Sequence, residues 1–148
     1  MKSLNLSEAL PGTWRLTSRI DISSDGSRKI DPSLGEDPIA LLFYDRSGNF
    51  AAQFMKRDRT SPITDTSAAG PNNSRALGGY DAYFGSYTID DALGTVTQTL
   101  LGSLSNENVG MVLTREMLVA GDSLTIRLQT SSAQGEPVTR TLTWERVG

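Results

Sequence analysis

The sequence predicts an all-β fold: a single antiparallel up-and-down β-barrel of about eight strands, with a short N-terminal helical turn. Three observations point there. Most of the chain falls into short runs that alternate apolar and polar residues or are continuously apolar, and none keeps a helical period for long. The runs are joined mostly by brief Gly-, Asp-, Asn- and Ser-rich turns, which favours pairing of sequence neighbours. The ends also match: Gly12-Thr13-Trp14 opens the first strand and Trp144-Glu145-Arg146 closes the last. Such a chain closes with its first strand beside its last, around either a packed core or one small ligand. A length of 148 residues fits one domain, residues 1–148, with its own core.

The elements follow in order. Ser7 to Leu10, ahead of Pro11, suits a helical turn that plugs one end. Trp14, Leu16, Ser18 and Ile20 alternate with Thr13, Arg15, Thr17 and Arg19, a strand with one wet face. Ser24-Asp25-Gly26-Ser27 is a hairpin signal, followed by a short strand around Arg28 to Ile30 and a turn over Pro32 to Gly35. Ile39 to Tyr44 is a continuous apolar run of strand length. After the turn Asp45 to Asn49, the strand Phe50 to Lys56 carries Phe50, Ala52 and Phe54 on one face and Ala51, Gln53 and Met55 on the other. Both faces are mostly apolar, so the inward one stays open.

Asp58 to Gly79 is rich in Ser, Thr, Gly, Asn and Pro. A connection this long reads as a lid at the open end or as a short helix capped by Asn73 or Ser74. Tyr83, Gly85, Tyr87 and Ile89 then share a strand face, with Gly85 a candidate bulge or bend. Val96, Gln98 and Leu100 share the next face; Met111, Leu113, Arg115 and Met117 the one after; then Leu124, Ile126 and Leu128. On the last strand Val138, Arg140, Leu142 and Trp144 oppose a threonine-rich side, which is the natural wet face.

Composition excludes several functions. The net charge of −3 comes from 14 basic and 17 acidic residues, well mixed, so nucleic acid is not an expected partner. No apolar run is long enough to span a membrane, and the first residues lack a signal-peptide stretch, so a cytoplasmic protein is expected. The absence of cysteine removes disulfides and thiolate chemistry. The absence of histidine removes serine-histidine and cysteine-histidine hydrolysis and histidine metal sites. Any catalysis must run on carboxylates, Tyr, Lys, Arg or amides. Glu36-Asp37 and Asp90-Asp91 read as turn formers, and no metal or cofactor is expected.

Leu10-Pro11-Gly12-Thr13-Trp14-Arg15-Leu16, Leu34-Gly35-Glu36-Asp37-Pro38, Tyr44 with Gly48, Ala52-Gln53-Phe54-Met55, Tyr83-Phe84-Gly85-Ser86-Tyr87 and Trp144-Glu145-Arg146 form a series whose order and spacing cover nearly the whole chain. Together these segments resemble the lipocalin-like domain family of bacteria and fungi, in the wider calycin group. The resemblance implies a barrel around a ligand-sized cavity, with Trp14 at the closed end under Arg146. It also implies small-molecule binding, while a few barrel relatives are isomerases or cyclases. Many relatives carry histidine where this chain has Thr97-Gln98, and proline in the loop that reads Ser103-Leu104-Ser105-Asn106 here. Chemistry resting on that histidine is closed to this chain, although Gln98 can still hydrogen-bond a ligand.

The expected function is binding of a small hydrophobic molecule in the barrel, with a carboxylate on the ligand as one option. Phe43, Phe54, Tyr83, Tyr87, Met111 and Leu113 would supply apolar wall, and Gln53, Gln98, Arg115 and Arg140 the orienting polar contacts. Arg115 and Arg140 stand out because an inward guanidinium needs a partner, which a ligand carboxylate or a neighbouring acid supplies. The alternative is a cofactor-free isomerase or cyclase, for which Asp81, Tyr83 and Tyr87 are the acid-base candidates. A filled barrel acting through its surface, or as a homodimer, is the third option.

Overall fold

The computed structural model describes residues 5–60, 72–132 and 134–148. The chain begins with one helical turn, α1 (Leu6–Ala9), capped by the Asn5 side chain, which accepts from the Glu8 amide at 3.0 Å. Nine strands follow among the described residues: β1 (Gly12–Ser23), β2 (Arg28–Lys29), β3 (Ile39–Tyr44), β4 (Asn49–Met55), β5 (Tyr80–Asp90), β6 (Thr95–Ser103), β7 (Val112–Ala120), β8 (Ser123–Ser131) and β9 (Pro137–Arg146). β1 and β3 to β9 pair antiparallel in sequence order, and β1 pairs with β9 to close an eight-stranded barrel. β2 is a two-residue spur on β1.

The seam between β1 and β9 is where the matched ends meet. Trp14 lies opposite Arg146, and Leu16 opposite Trp144. The Trp14 indole is fully buried and its N–H donates to the Leu10 carbonyl at 2.9 Å. The Arg146 guanidinium stacks 4.3 Å from the indole ring centre and donates to the Pro11 and Ala9 carbonyls. One side chain thus ties the last strand to the first and to α1, as the resemblance implies. Ser7 holds α1 on the far wall by donating twice to Asp91 at the β5–β6 turn.

β1 departs from simple alternation. Its pairing with β9 shifts between Leu16 and Ser18, so Thr17 is an extra residue, a bulge. Because side chains alternate every residue, one extra residue exchanges the two faces. Trp14 points inward below the bulge, but above it Arg19, Asp21 and Ser23 point inward, not Ser18 and Ile20. Ile20 and Ile22 end on the outside, 38% and 37% exposed. A second bulge separates Phe84 from Gly85, at the expected glycine. A Cβ on Gly85 would stand 1.8 Å from the Thr99 carbonyl oxygen, so only glycine lets β5 and β6 approach there.

The apolar run of β3 also alternates once folded. Ala40, Leu42 and Tyr44 face in, while Ile39, Leu41 and Phe43 face out. On β4 the inward face is the one bearing Phe50, Ala52 and Phe54. The closed half of the barrel is filled by Trp14, Tyr44, Phe50, Leu100, Leu113 and Leu124. In the long β4–β5 connection, residues 61–71, which carry half of the lid expected over Asp58 to Gly79, lie outside the described residues. Residues 72–79 form no helix, which corrects the capping role expected of Asn73 and Ser74.

Arg146→Leu keeps bulk but loses the cation on the indole and the carbonyl contacts. It should destabilise the protein by about 2 kcal/mol. Urea unfolding should show a lower midpoint at unchanged slope. An unmoved midpoint would show that the seam does not depend on this clamp.

Candidate functional site

Above the packed half, the open end holds a cavity of about 70 Å³ that communicates with solvent. Its apolar floor is Leu42, Phe54, Ile126, Leu142 and Trp144. Its upper walls are charged. Arg19, Asp21, Asp81, Arg115 and Arg140 all line it and are all buried.

The β1 bulge supplies the first part of this layer. Arg140 lies opposite Asp21 across the seam, and the two form a two-pronged pair, Nε to Oδ1 at 2.9 Å and Nη2 to Oδ2 at 3.1 Å. Arg19 reaches Asp31, in the β2–β3 connection, at 2.8 Å. Burial lowers the pKa of Arg19, and Arg140 lowers it further, while Asp31 and Asp21 work against both. Burial pushes Asp31 upward, but Arg19 and the two hydrogen bonds from Ser33 outweigh it and hold the carboxyl below its ordinary value.

Residues 72–77 form a strap over the cavity. Asn72 sits in the left-handed region at φ 59°, which asparagine tolerates better than most residues. Its side-chain amide pairs with the backbone of Thr114 at 2.8 and 2.9 Å, in the place of a strand partner. Asn73 Oδ1 accepts from Arg140 at 3.1 Å. The Ser74 hydroxyl donates to Asp81 Oδ2 at 2.6 Å, and the Arg75 backbone exchanges two hydrogen bonds with the buried Asn108 side chain.

Two ionisable groups at the cavity have no ion-pair partner among the described residues. Arg115 donates from Nη1 to the carbonyls of Asn72 at 2.8 Å and Thr114 at 3.2 Å, and no carboxylate among the described residues pairs with it. Burial is the main cause that lowers its pKa, opposed by Tyr83 and Tyr44. Asp81 is held by Ser74 through Oδ2, but its buried Oδ1 has no hydrogen-bond partner among the described residues. Burial raises the Asp81 carboxyl to about 6, although the hydrogen bonds from Ser74 and the Ala82 amide pull it down. Tyr83 feels both groups, and burial, then Asp81, pushes its hydroxyl to about 12. The buried indole N–H of Trp144 likewise has no partner among the described residues.

A family model described as a lipocalin-like domain matches residues 11–147. The chain belongs to the lipocalin-like domain family. No curated protein matches it. The lipocalin-like barrel suggests binding of small hydrophobic molecules in general. No helix among the described residues is long and apolar enough to cross a membrane.

Within this lipocalin-like barrel, the sequence-predicted residues separate into groups. Phe54, Asp81, Tyr83, Gln98, Arg115 and Arg140 come together around the cavity. Gln98 there accepts from the Tyr44 hydroxyl, whose own pKa burial raises well above the ordinary value. Leu113 lies fully buried in the packed half, with Met111 half-buried against that core. Tyr87 is half-buried with its ring edge-on to Tyr44 at 4.9 Å, and its hydroxyl donates to the Asp45 carbonyl. Phe43 and Gln53 are corrections: both lie on the outer surface, on the outward phase of β3 and β4. Gln53 accepts from the Tyr80 hydroxyl there at 2.7 Å.

Sequence reasoning missed Arg19, Asp21, Asp31, Ser74 and Trp144 as cavity residues. No sequence signal marked the first two, because Trp14, Leu16, Ile20 and Ile22 keep one alternating phase straight through Thr17 and Ser18. Nothing in the pattern of a Ser- and Asn-rich loop marked Ser74. The cavity itself is smaller than expected. About 70 Å³ falls well below the roughly 300–1,000 Å³ of drug-sized sites.

The raised Asp81 pKa sets a sign for stability. The folded carboxyl binds its proton more tightly than the ordinary value of 3.8 allows in the unfolded chain, so ionising it costs stability, fully so above pH 6. The cost is about 3 kcal/mol. Asp81→Asn keeps the shape and removes the charge. It should melt higher than wild type at pH 8, and the gain should fade as the pH falls from 7 to 4. Thermal unfolding across that range checks this, and a gain that does not vary with pH would contradict it.

Proposed function

We propose that this lipocalin-like barrel binds a small amphipathic molecule through an acidic group. The head enters the cavity beside Arg115, Tyr83 and Gln98, and Phe54 packs beneath it. The apolar remainder lies in the mouth against Ile30, Leu34 and Ala76, which line the outer part of the same cavity. One observation carries the reading: Arg115 is a buried guanidinium without a carboxylate among the described residues, whereas Arg19 and Arg140 each hold one. Leaving a buried charge unpaired costs several kcal/mol. A ligand carboxylate would recover that cost through two parallel N–H···O contacts. Arg140 then acts as a structural neighbour, since Asp21 and Asn73 already engage it.

Octanoate, measured by titration calorimetry, tests this. Arg115→Met should weaken its binding about tenfold or more, the worth of one charge-assisted contact. Arg15→Met, on the exposed outer surface, should leave it unchanged. Equal affinity for wild type and Arg115→Met would refute the proposal.

One observation favours a second reading, a cofactor-free isomerase or cyclase. A carboxyl with a pKa of about 6 and one unpartnered oxygen, beside a tyrosine, suits proton transfer near neutral pH. Asp81 would take a proton from the carbon next to a carbonyl, the electron pair would move onto the carbonyl oxygen near Arg115, and the proton would return. In D2O, wild type should exchange the C3 protons of 2-oxooctanoate faster than Asp81→Asn. Equal exchange rates would end this reading.

A further inference from the structure

The incompletely partnered groups around the cavity differ in kind. Among the described residues, Arg115 donates to two carbonyls but has no carboxylate, the Trp144 N–H is a donor without an acceptor, and Asp81 Oδ1 is an acceptor without a donor. Asp81 and Trp144 are 4% and 1% exposed, so bulk water does not serve them. Both flank the same aromatic ring. Phe54 lies opposite Asp81 in the β4–β5 ladder, and its ring packs edge-on to Trp144 at 5.8 Å. The Asp81 side chain is also fixed from behind, because Ser74 binds its other oxygen at 2.6 Å. The Asp81 carboxyl is therefore held on a rigid mount in the cavity wall.

Each simple ligand fails at one of these groups. A plain carboxylate answers the two donors, but it leaves Asp81 Oδ1 unserved and sets a second negative charge beside it. A plain alcohol answers Asp81, but it leaves Arg115 uncompensated. A molecule carrying both an acid and a hydroxyl answers all three. The cavity volume adds a constraint. About 70 Å³ is several times smaller than the roughly 300–1,000 Å³ of drug-sized sites. Acid and hydroxyl are then close neighbours on the ligand.

We infer that the ligand is a short-range hydroxy acid, with its acid group on Arg115 and its hydroxyl donating to Asp81 Oδ1. This rests on the anion-binding reading above and narrows it: Asp81 is the residue that separates a hydroxy acid from the parent acid. A site built to receive a hydroxyl rejects the analogue that lacks it, because the buried acceptor is then left bare.

Calorimetry at pH 7.5 with octanoate and 3-hydroxyoctanoate tests the inference. Wild type should bind the hydroxy acid about tenfold more tightly. Asp81→Leu should bind the two acids alike. Asp81→Asn, which keeps the shape and the Ser74 contact, should show a reduced preference and covers the case in which the leucine variant does not fold. Equal affinity of wild type for both acids, or a full preference surviving in both variants, overturns the inference and leaves the anion reading standing. Failure of wild type to bind either acid overturns both.

Discussion

The register of β1 against β9 is the constraint on which the rest depends. At one end it sets Trp14 opposite Arg146, and the cation over the indole seals the barrel. At the other end it sets Asp21 opposite Arg140, and the same ladder produces a buried ion pair. The bulge at Thr17 makes both outcomes compatible, because it turns an apolar inward face into a charged one partway along a single strand. Without it, the alternation would turn Ile20 and Ile22 inward in place of Arg19 and Asp21.

The cavity's electrostatics follow from that switch. Three buried arginines meet the aspartates unevenly: Arg140 takes Asp21, Arg19 takes Asp31, and Arg115 and Asp81 each have no ion-pair partner among the described residues. The paired groups rigidify the walls. The unpaired ones carry the cost, seen as the lowered pKa of Arg115 and the raised pKa of Asp81, with burial the main cause in both. Sites that bind or react are commonly held at such a cost to stability, since groups poised for a ligand are badly served without one. The strap over residues 72–77 belongs to the same arrangement. It bonds to Thr114, Arg140, Asp81 and Asn108 in turn, so the roof and the polar walls form one network.

Much of the fold was legible because sheet geometry writes itself into alternation. The inward faces of β6 to β9 read directly from Val96 to Leu100, Leu113 to Met117, Leu124 to Leu128 and Val138 to Trp144, where one side is apolar and the other polar. The matched Trp ends gave the closure. β3 hid its phase, because Ile39, Leu41 and Phe43 are as apolar as the residues that face inward, and that is how Phe43 was misplaced. Half of the site was hidden for a different reason. A bulge leaves no reliable mark on composition, so Arg19 and Asp21 looked like wet-face residues. Arg115 and Arg140 were visible as inward cations, but only the fold could tell which of them already had a partner.

The central claim is that Arg115, and no other arginine at the cavity, is the handle for an acidic ligand. The side-chain Nε–Hε region of a proton–nitrogen correlation spectrum reports each guanidinium separately during a titration with octanoate. The account predicts that the Arg115 signal moves with saturating dependence while Arg19 and Arg140 stay in place. Movement of Arg19 or Arg140 with Arg115 fixed would contradict it.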